Sequence, residues 1–375
     1  MEGKASDKTR RSVRKPRYIE INVHTLMDDD RPVYLSGDFN DWVERDEKYR
    51  MTKVSKGLYA FALDVSGSEL PLEYTYLKGG WDDEELDTYG NRVAKRLITA
   101  LDQMIVDRVV RWRRNGKACD PLRLPEQFII EDDFEIPQLK KRRRIWALLP
   151  HDYHVQTEKQ YPVLYLQDAQ NLFDDNAPFG NWAIDEKMAI LAEHGHGDFI
   201  VVAIEHGGKD RIKEFSPFET QKFGAGHGKL YARFLIETLK PYVDKKFRTK
   251  ADRLGTAIGG SSMGGLISAF TGMMYPEIFS KWMIFSPSLW VSSKIFTEAN
   301  NFINSSPISI YLYGGKNESQ SMERDLNLFV DVLTRKSRNQ DLIRYKLSLH
   351  PTALHSEQYW GQEFPKAVRW LFFNQ

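Results

Sequence analysis

Three short runs, Val163-Leu-Tyr-Leu166, Phe199-Ile-Val-Val-Ala-Ile204 and Ile308-Ser-Ile-Tyr-Leu312, are apolar almost without interruption. A strand that shows no alternation is buried on both faces, and such strands belong to parallel sheets with helices above and below. The stretches between them supply those helices, since Trp182 to Glu193, Leu230 to Phe247 and Ser321 to Lys336 are amphipathic at helical spacing. From about Leu124 onward the chain reads as alternating strand and helix, an α/β unit built on a parallel sheet covered on both faces. In such sheets a ligand sits outside the carboxyl ends of the strands.

The preceding zone has a different rhythm. Tyr18 to Leu26 and Gly57 to Leu63 alternate in part, and Pro32 to Gly37 and Leu72 to Leu77 are short runs closed by turn residues. Short strands at that spacing predict a β-sandwich. Pro121 and Pro125 mark the boundary. Three segments are therefore expected: a basic, disordered tail over 1–15, a β-sandwich over 16–118, and the α/β unit over 119–375.

Composition removes several function classes. With 41% hydrophobic and 28% charged residues the chain can bury a sizeable core, and a formal charge of +1 gives no overall pull toward nucleic acid or membrane. Lys4, Lys8, Arg10, Arg11, Arg14, Lys15 and Arg17 cluster at the start without interleaved aromatics, so they read as a solvated tail rather than a nucleic-acid arm. The single cysteine, Cys119, excludes an intrachain disulfide and a cysteine-based metal cluster. His194 and His196, like His151 and His154, lack ligand spacing, so no metal or cofactor is expected. The numbering shows no secretory signal and no bilayer-length run, which predicts a cytoplasmic protein with neither membrane nor nucleic-acid partner. Lys140-Lys-Arg-Arg-Arg144 reads as the solvated start of an edge strand, and Arg211 and Glu214 as a pair supporting a loop.

One motif carries chemistry. Gly260-Ser-Ser-Met-Gly264 follows a plausible strand end, Thr256-Ala-Ile258, and precedes a helical pattern from Leu266. That is the context in which a sharp strand-to-helix turn lifts a serine hydroxyl above a sheet, making Ser262 the candidate nucleophile. The alternative is a plain glycine-rich turn with a buried serine. A serine hydroxyl needs a base, and the base an orienting acid. Only His350 and His355 follow Ser262. His350 closes the run Tyr345 to Leu349, whereas His355 lies in a loop leading into a helix, where an imidazole can stand above the sheet. The acid should follow the strand Ile308 to Tyr313, and Glu318 is the first carboxylate there, with Glu323 and Asp325 on the helix beyond. By spacing alone Glu318 could equally be a helix cap or a surface carboxylate. Donors for a developing oxyanion would come from the amide of Met263 and from Gln170 or Asn171, in the loop after Tyr161 to Leu166.

With those residues in place, the α/β zone resembles the enterochelin-esterase-like esterases, a group that includes feruloyl and acetyl-xylan esterases. The resemblance rests on Tyr161-Pro-Val-Leu-Tyr-Leu-Gln-Asp-Ala-Gln-Asn-Leu-Phe173, Asp244-Lys-Lys-Phe-Arg-Thr249, Gly260-Ser-Ser-Met-Gly-Gly265 and His355-Ser-Glu357 with Trp360. It implies an α/β-hydrolase fold and the set Ser262, Glu318 and His355. Ala169 departs from it, since the family usually has glycine there and a methyl group could narrow the oxyanion loop. The middle zone is similar to starch-binding carbohydrate-binding modules through Val33 to Trp42 and Leu72 to Trp81, ending in Gly90-Asn-Arg92. That likeness makes Trp42 and Trp81 a candidate sugar platform, although Leu86 stands about where such modules carry their second tryptophan. A sandwich that packs on the esterase or mediates a homodimer is the alternative.

The expected function is that of a serine carboxylic-ester hydrolase acting through an acyl-enzyme, on a siderophore ester or an acyl- or feruloyl-carbohydrate. The competing expectation is an α-glucan-binding or scaffold protein whose hydrolase zone is inactive.

Overall fold

The computed structural model describes residues 17–101, 104–173, 176–177, 179–336 and 341–373. The basic residues from Lys4 to Lys15 lie outside the described residues. Two compact units divide the chain, Met1–Ala118 and Cys119–Gln375.

Among the described residues the first unit holds nine strands: β1 (Tyr18–Thr25), β2 (Tyr34–Gly37), β3 (Thr52–Ser55), β4 (Leu58–Asp64), β5 (Leu72–Leu77), β6 (Glu85–Leu86), β7 (Arg96–Ile98), β8 (Met104–Val109) and β9 (Arg111–Trp112). They form a four-stranded sheet in the order β3-β4-β1-β8, a three-stranded sheet β2-β5-β7 and the pair β6-β9. Along β1, buried Ile19, Ile21 and Val23 alternate with outward side chains and share one apolar core with Leu35, Tyr74 and Tyr76 of the three-stranded sheet. The period of two is what permits it, because one strand face then carries every apolar residue. The β1–β8 pairing is parallel.

The second unit is built on eight strands: β10 (Glu126–Ile136), β11 (Lys141–Leu149), β12 (Val163–Gln167), β13 (Ile200–Ile204), β14 (Thr256–Ser261), β15 (Lys281–Phe285), β16 (Ile308–Gly315) and β17 (Ile343–His350). Their order is β10-β11-β13-β12-β14-β15-β16-β17. The six strands β12 to β17 pair in parallel, while β10 and β11 are a long antiparallel hairpin joined antiparallel to β13. The sheet is thus mixed, where the sequence predicted a parallel one; the hairpin's partial alternation hid it among loop-like charges.

Those charges also correct the reading of Lys140 to Arg144. Strand β11 lies between β10 and β13 and is not an edge. Its cations are matched one by one: Lys141 with Asp210 and Glu214, Arg142 with Asp133, Arg143 with Glu214, and Arg144 with Asp132.

Strands β12 to β16 each feed two cores, one per face. Along β12, Val163 and Tyr165 enter one cluster and Leu164 and Leu166 the other. Helices Gly228–Phe234, Lys240–Lys246 and Met263–Met274 cover the first face, and Ile184–Glu193 and Glu357–Val368 the second. The order β13-β12-β14 makes the chain reverse direction across the sheet after β12. Neighbouring loops then diverge at that point and leave a crevice beyond the strand ends. The two loops that follow β12 and β14 border it.

Candidate active site

Strand β14 ends at Ser261 and the helix Met263–Met274 begins two residues later, leaving Ser262 alone in the turn. Its backbone sits at φ 56°, ψ −120°, a region that L-residues rarely occupy and that structures tolerate mainly at functional sites. The turn is held by Ser262 N–H donating to the Phe285 carbonyl at 3.0 Å and by Ser288 N–H donating to the Ser262 carbonyl at 3.0 Å. The flanking glycines are required by close approach. A Cβ on Gly260 would lie 2.8 Å from the Gly264 carbonyl carbon, and one on Gly264 would lie 2.8 Å from an Asp168 carboxylate oxygen.

Glu318 and His355 meet, although 37 residues separate them. Strand β16 ends at Gly315, and its loop turns Glu318 inward until its side chain is only 1% exposed. His355 Nδ1 donates to Glu318 Oε2 at 2.7 Å, with the imidazole 40% exposed. The other oxygen of Glu318 accepts from Ser286 Oγ at 2.7 Å and from the Gly315 amide at 2.6 Å. His350 does not compete: it ends β17, accepts from the Thr352 amide and lies against Tyr359. Glu323 pairs with Lys316 and Asp325 with Arg324, both away from His355.

Ser262 and His355 line one cavity of about 540 Å³, together with Asn171, His206, Arg211 and Trp360. The hydroxyl of Ser262 is bonded to that of Ser288 at 3.2 Å, and the hydrogen bonds among the described residues include none between Ser262 and His355.

The loop after β12 is a single tight turn over Ala169–Asn171, entered through Asp168 at φ 63°. The strained position is Asp168, so the methyl group of Ala169 meets no backbone penalty and is buried in the core. Asn171 is corrected as an oxyanion donor, because its amide donates to the Asp168 carbonyl at 3.0 Å as part of that turn. Its side chain reaches Glu357 Oε1 at 3.2 Å instead. The amides of Gln170 and Met263 have no such partner among the described residues, Met263 being the first residue of its helix. The Gln170 side chain clamps the backbone of His206, donating to its carbonyl at 3.1 Å and accepting from its amide at 3.0 Å.

Arg211 and Glu214 do not pair with each other. Arg211 forms a two-pronged ion pair with Asp168, at 2.6 and 2.7 Å, while Glu214 is held by Lys141 and Arg143. The guanidinium fork matches the carboxylate edge, and Asp168 is the residue that turns the loop after β12, so this pair fixes that loop. Burial shifts two groups lining the cavity. It pushes the Glu357 carboxyl up and the His206 imidazole down from their ordinary values.

In the first unit Trp42 and Trp81 lie side by side, ring centroids 6.5 Å apart at 29°. Lys95 Nζ stands 3.4 Å from the Trp42 ring centre, so that face is occupied and Trp42 is not an open platform. Trp81 is 40% exposed, and Leu86 is buried. The histidines set aside as ligands are apart as well: His154 pairs with Glu126 and His151 with Arg123. No group of three or more metal-binding side chains is found among the described residues, nor any helix long and apolar enough to cross a membrane.

Ser286, Ser288 and Trp360 were not singled out for this site by sequence chemistry. Trp360 entered only through the family likeness, and a hydroxyl in a loop after a strand has no pattern of its own.

The model of the Esterase family, described as Putative esterase, matches residues 136–371. The chain is 28% identical over 206 residues to the siderophore triacetylfusarinine C esterase of Aspergillus fumigatus, covering 52% of this chain and 67% of that protein. Its fold is similar to that of an IroE-like serine hydrolase from Shewanella oneidensis, with TM-score 0.52, 21% identity, and 66% of this chain and 80% of that one covered. It is also similar to the enterobactin esterase FES of Shigella flexneri, with TM-score 0.51 and 12% identity over 96% of this chain and 94% of that one.

Proposed function

The chain belongs to the Esterase family and is a carboxylic-ester hydrolase, and we propose that it works through an acyl-enzyme formed on Ser262. The observation that carries this reading is the 2.7 Å bond between the buried Glu318 carboxylate and His355, at the cavity that Ser262 also lines. Glu318 keeps the proton on Nδ1, which leaves Nε2 free to take the proton of Ser262 as its oxygen attacks the ester carbonyl. The carbonyl oxygen becomes an oxyanion accepted by the amides of Met263 and Gln170. Collapse breaks the bond to the alcohol, which leaves with the proton returned by His355. Water then repeats the sequence on the acyl-serine.

The substrate class we infer is a siderophore ester or an acyl- or feruloyl-carbohydrate. The kinship with a siderophore esterase supports the first, and the cavity offers apolar Phe179, Ile212 and Trp360 to the acyl group of either. Turnover of p-nitrophenyl acetate by the protein and by Ser262→Ala tests the mechanism, and equal rates would refute it. A panel of siderophore, feruloyl and acetyl esters, with Ser262→Ala as the blank, tests the substrate.

For the first unit the reading is a β-sandwich that binds α-glucan weakly through Trp81, supported by the exposure of that indole. Retardation on an amylose gel that Trp81→Ala abolishes is expected; no retardation of either removes it.

A further inference from the structure

The loop after β15, Ser286-Pro287-Ser288, carries no motif, yet its first residue is fully buried and strained, with φ 42°. Such a conformation persists only where the surroundings enforce it. The Ser286 amide donates to the Tyr313 carbonyl at 2.7 Å, and its hydroxyl has two partners. It lies 2.7 Å from Glu318 Oε1 and 2.8 Å from Trp360 Nε1. Their chemistry fixes both directions. An ionised carboxylate can only accept and an indole N–H can only donate, so the hydroxyl must donate to Glu318 and accept from Trp360.

Trp360 has a second contact with the same pair. Its ring, 3% exposed, meets the His355 imidazole edge to face, with centroids 4.8 Å apart at 88°. Glu318 Oε1 is thus saturated by Ser286 and the Gly315 amide, and Oε2 is left facing His355 alone. Trp360 donates to Ser286, Ser286 and His355 both donate to Glu318, and the contact between the Trp360 and His355 rings closes the loop.

We propose that Ser286 and Trp360 are positioning residues for ester cleavage: together they lock the rotation of the Glu318 carboxylate, while Trp360 also sets the plane of His355. The inference rests on the reading of Ser262, Glu318 and His355 as the reacting set. Other titratable groups beside the pair are Tyr313 on β16 and Glu357 at the start of the helix that carries Trp360; Lys316 is engaged by Glu323.

The test compares Ser286→Ala, Ser286→Cys and Trp360→Phe by kcat, KM and the pH profile of kcat/KM on p-nitrophenyl acetate, with thermal melts to verify folding. Trp360→Phe keeps an aromatic face toward His355 and removes the N–H together with the five-membered ring, so its melt is read beside its kinetics. Each Ala or Phe variant should lose about tenfold in kcat with KM nearly unchanged, the scale expected when a reacting group is misplaced. Ser286→Cys, with its weaker donor, should fall between. In Ser286→Ala the carboxylate loses a donor and its charge is less shared, so it holds the imidazolium more tightly. The acid limb of the profile should then move to higher pH. Because the indole N–H acts through Ser286, Ser286→Ala/Trp360→Phe should lose less than the product of the two single losses. Folded variants with unchanged kcat and an unmoved profile would overturn the inference. If Ser286→Ala does not fold, Trp360→Phe alone decides. Full activity in Ser262→Ala would instead overturn the underlying reading, so the two failures are distinguishable.

Discussion

The hydroxyls of Ser262 and Ser288 lie 3.2 Å apart, within a turn that Ser288 also secures through its amide. The nucleophile's oxygen is therefore engaged by a second serine in this structure, in the cavity that His355 also lines. A hydrogen bond of this kind contributes about 1 kcal/mol net. Ser288→Ala should accordingly raise the rate of acylation by a fluorophosphonate, by up to about fivefold. A fall in that rate would mean that Ser288 assists the attack rather than restrains it.

Glu318→Gln preserves shape and removes charge. The imidazolium formed during attack then has no anion beside Nδ1, and the amide can present its NH2 and select the wrong tautomer. A loss of about 10³- to 10⁴-fold in kcat is expected, with little change in melting temperature. Steady-state kinetics on the same ester measures it.

Arg211→Met leaves Asp168 buried without its partner at the turn that presents the Gln170 amide. Breaking a buried pair from one side costs about 3 kcal/mol. Urea unfolding should report that loss, and kcat should fall with it because the oxyanion loop loosens. A stable but slow variant, or a fast but unstable one, would separate the two roles.

Burial raises the Glu357 carboxyl above its ordinary 4.5, so the folded chain holds that proton more tightly than the unfolded chain does. Its contribution is complete below the unfolded-state value and is lost as pH rises through it toward the folded one. Glu357→Gln, which keeps an acceptor for Asn171, should be more stable than the parent near neutrality and show a flatter melting-temperature profile from pH 4.5 upward. A profile parallel to the parent's would count against this.

What could be read without coordinates follows from what packing imposes on pattern. Strands β12, β13 and β16 are visible because both of their faces are core, and the helix after Ser262 because the run from Leu266 to Phe270 has a helical pattern. The hairpin of β10 and β11 was not, since its charges find partners on neighbouring strands and helices and so mimic a solvated surface. In the site, the sequence offered Glu318 and His355 from their order, and the structure joins them. It could not separate Gln170 from Asn171, because which amide a tight turn consumes depends on the turn itself. Arg211 was seen but matched to the wrong acid: one helical turn on suggested Glu214, whereas the partner lies 43 residues back.

Strand β17 is the outermost of its sheet, paired only with β16, and His355 comes after it. The turn bearing Ser262 and the strand preceding Glu318 both come before it in sequence, so a chain that ends before residue 355 carries the serine turn and the carboxylate but lacks the imidazole that faces them.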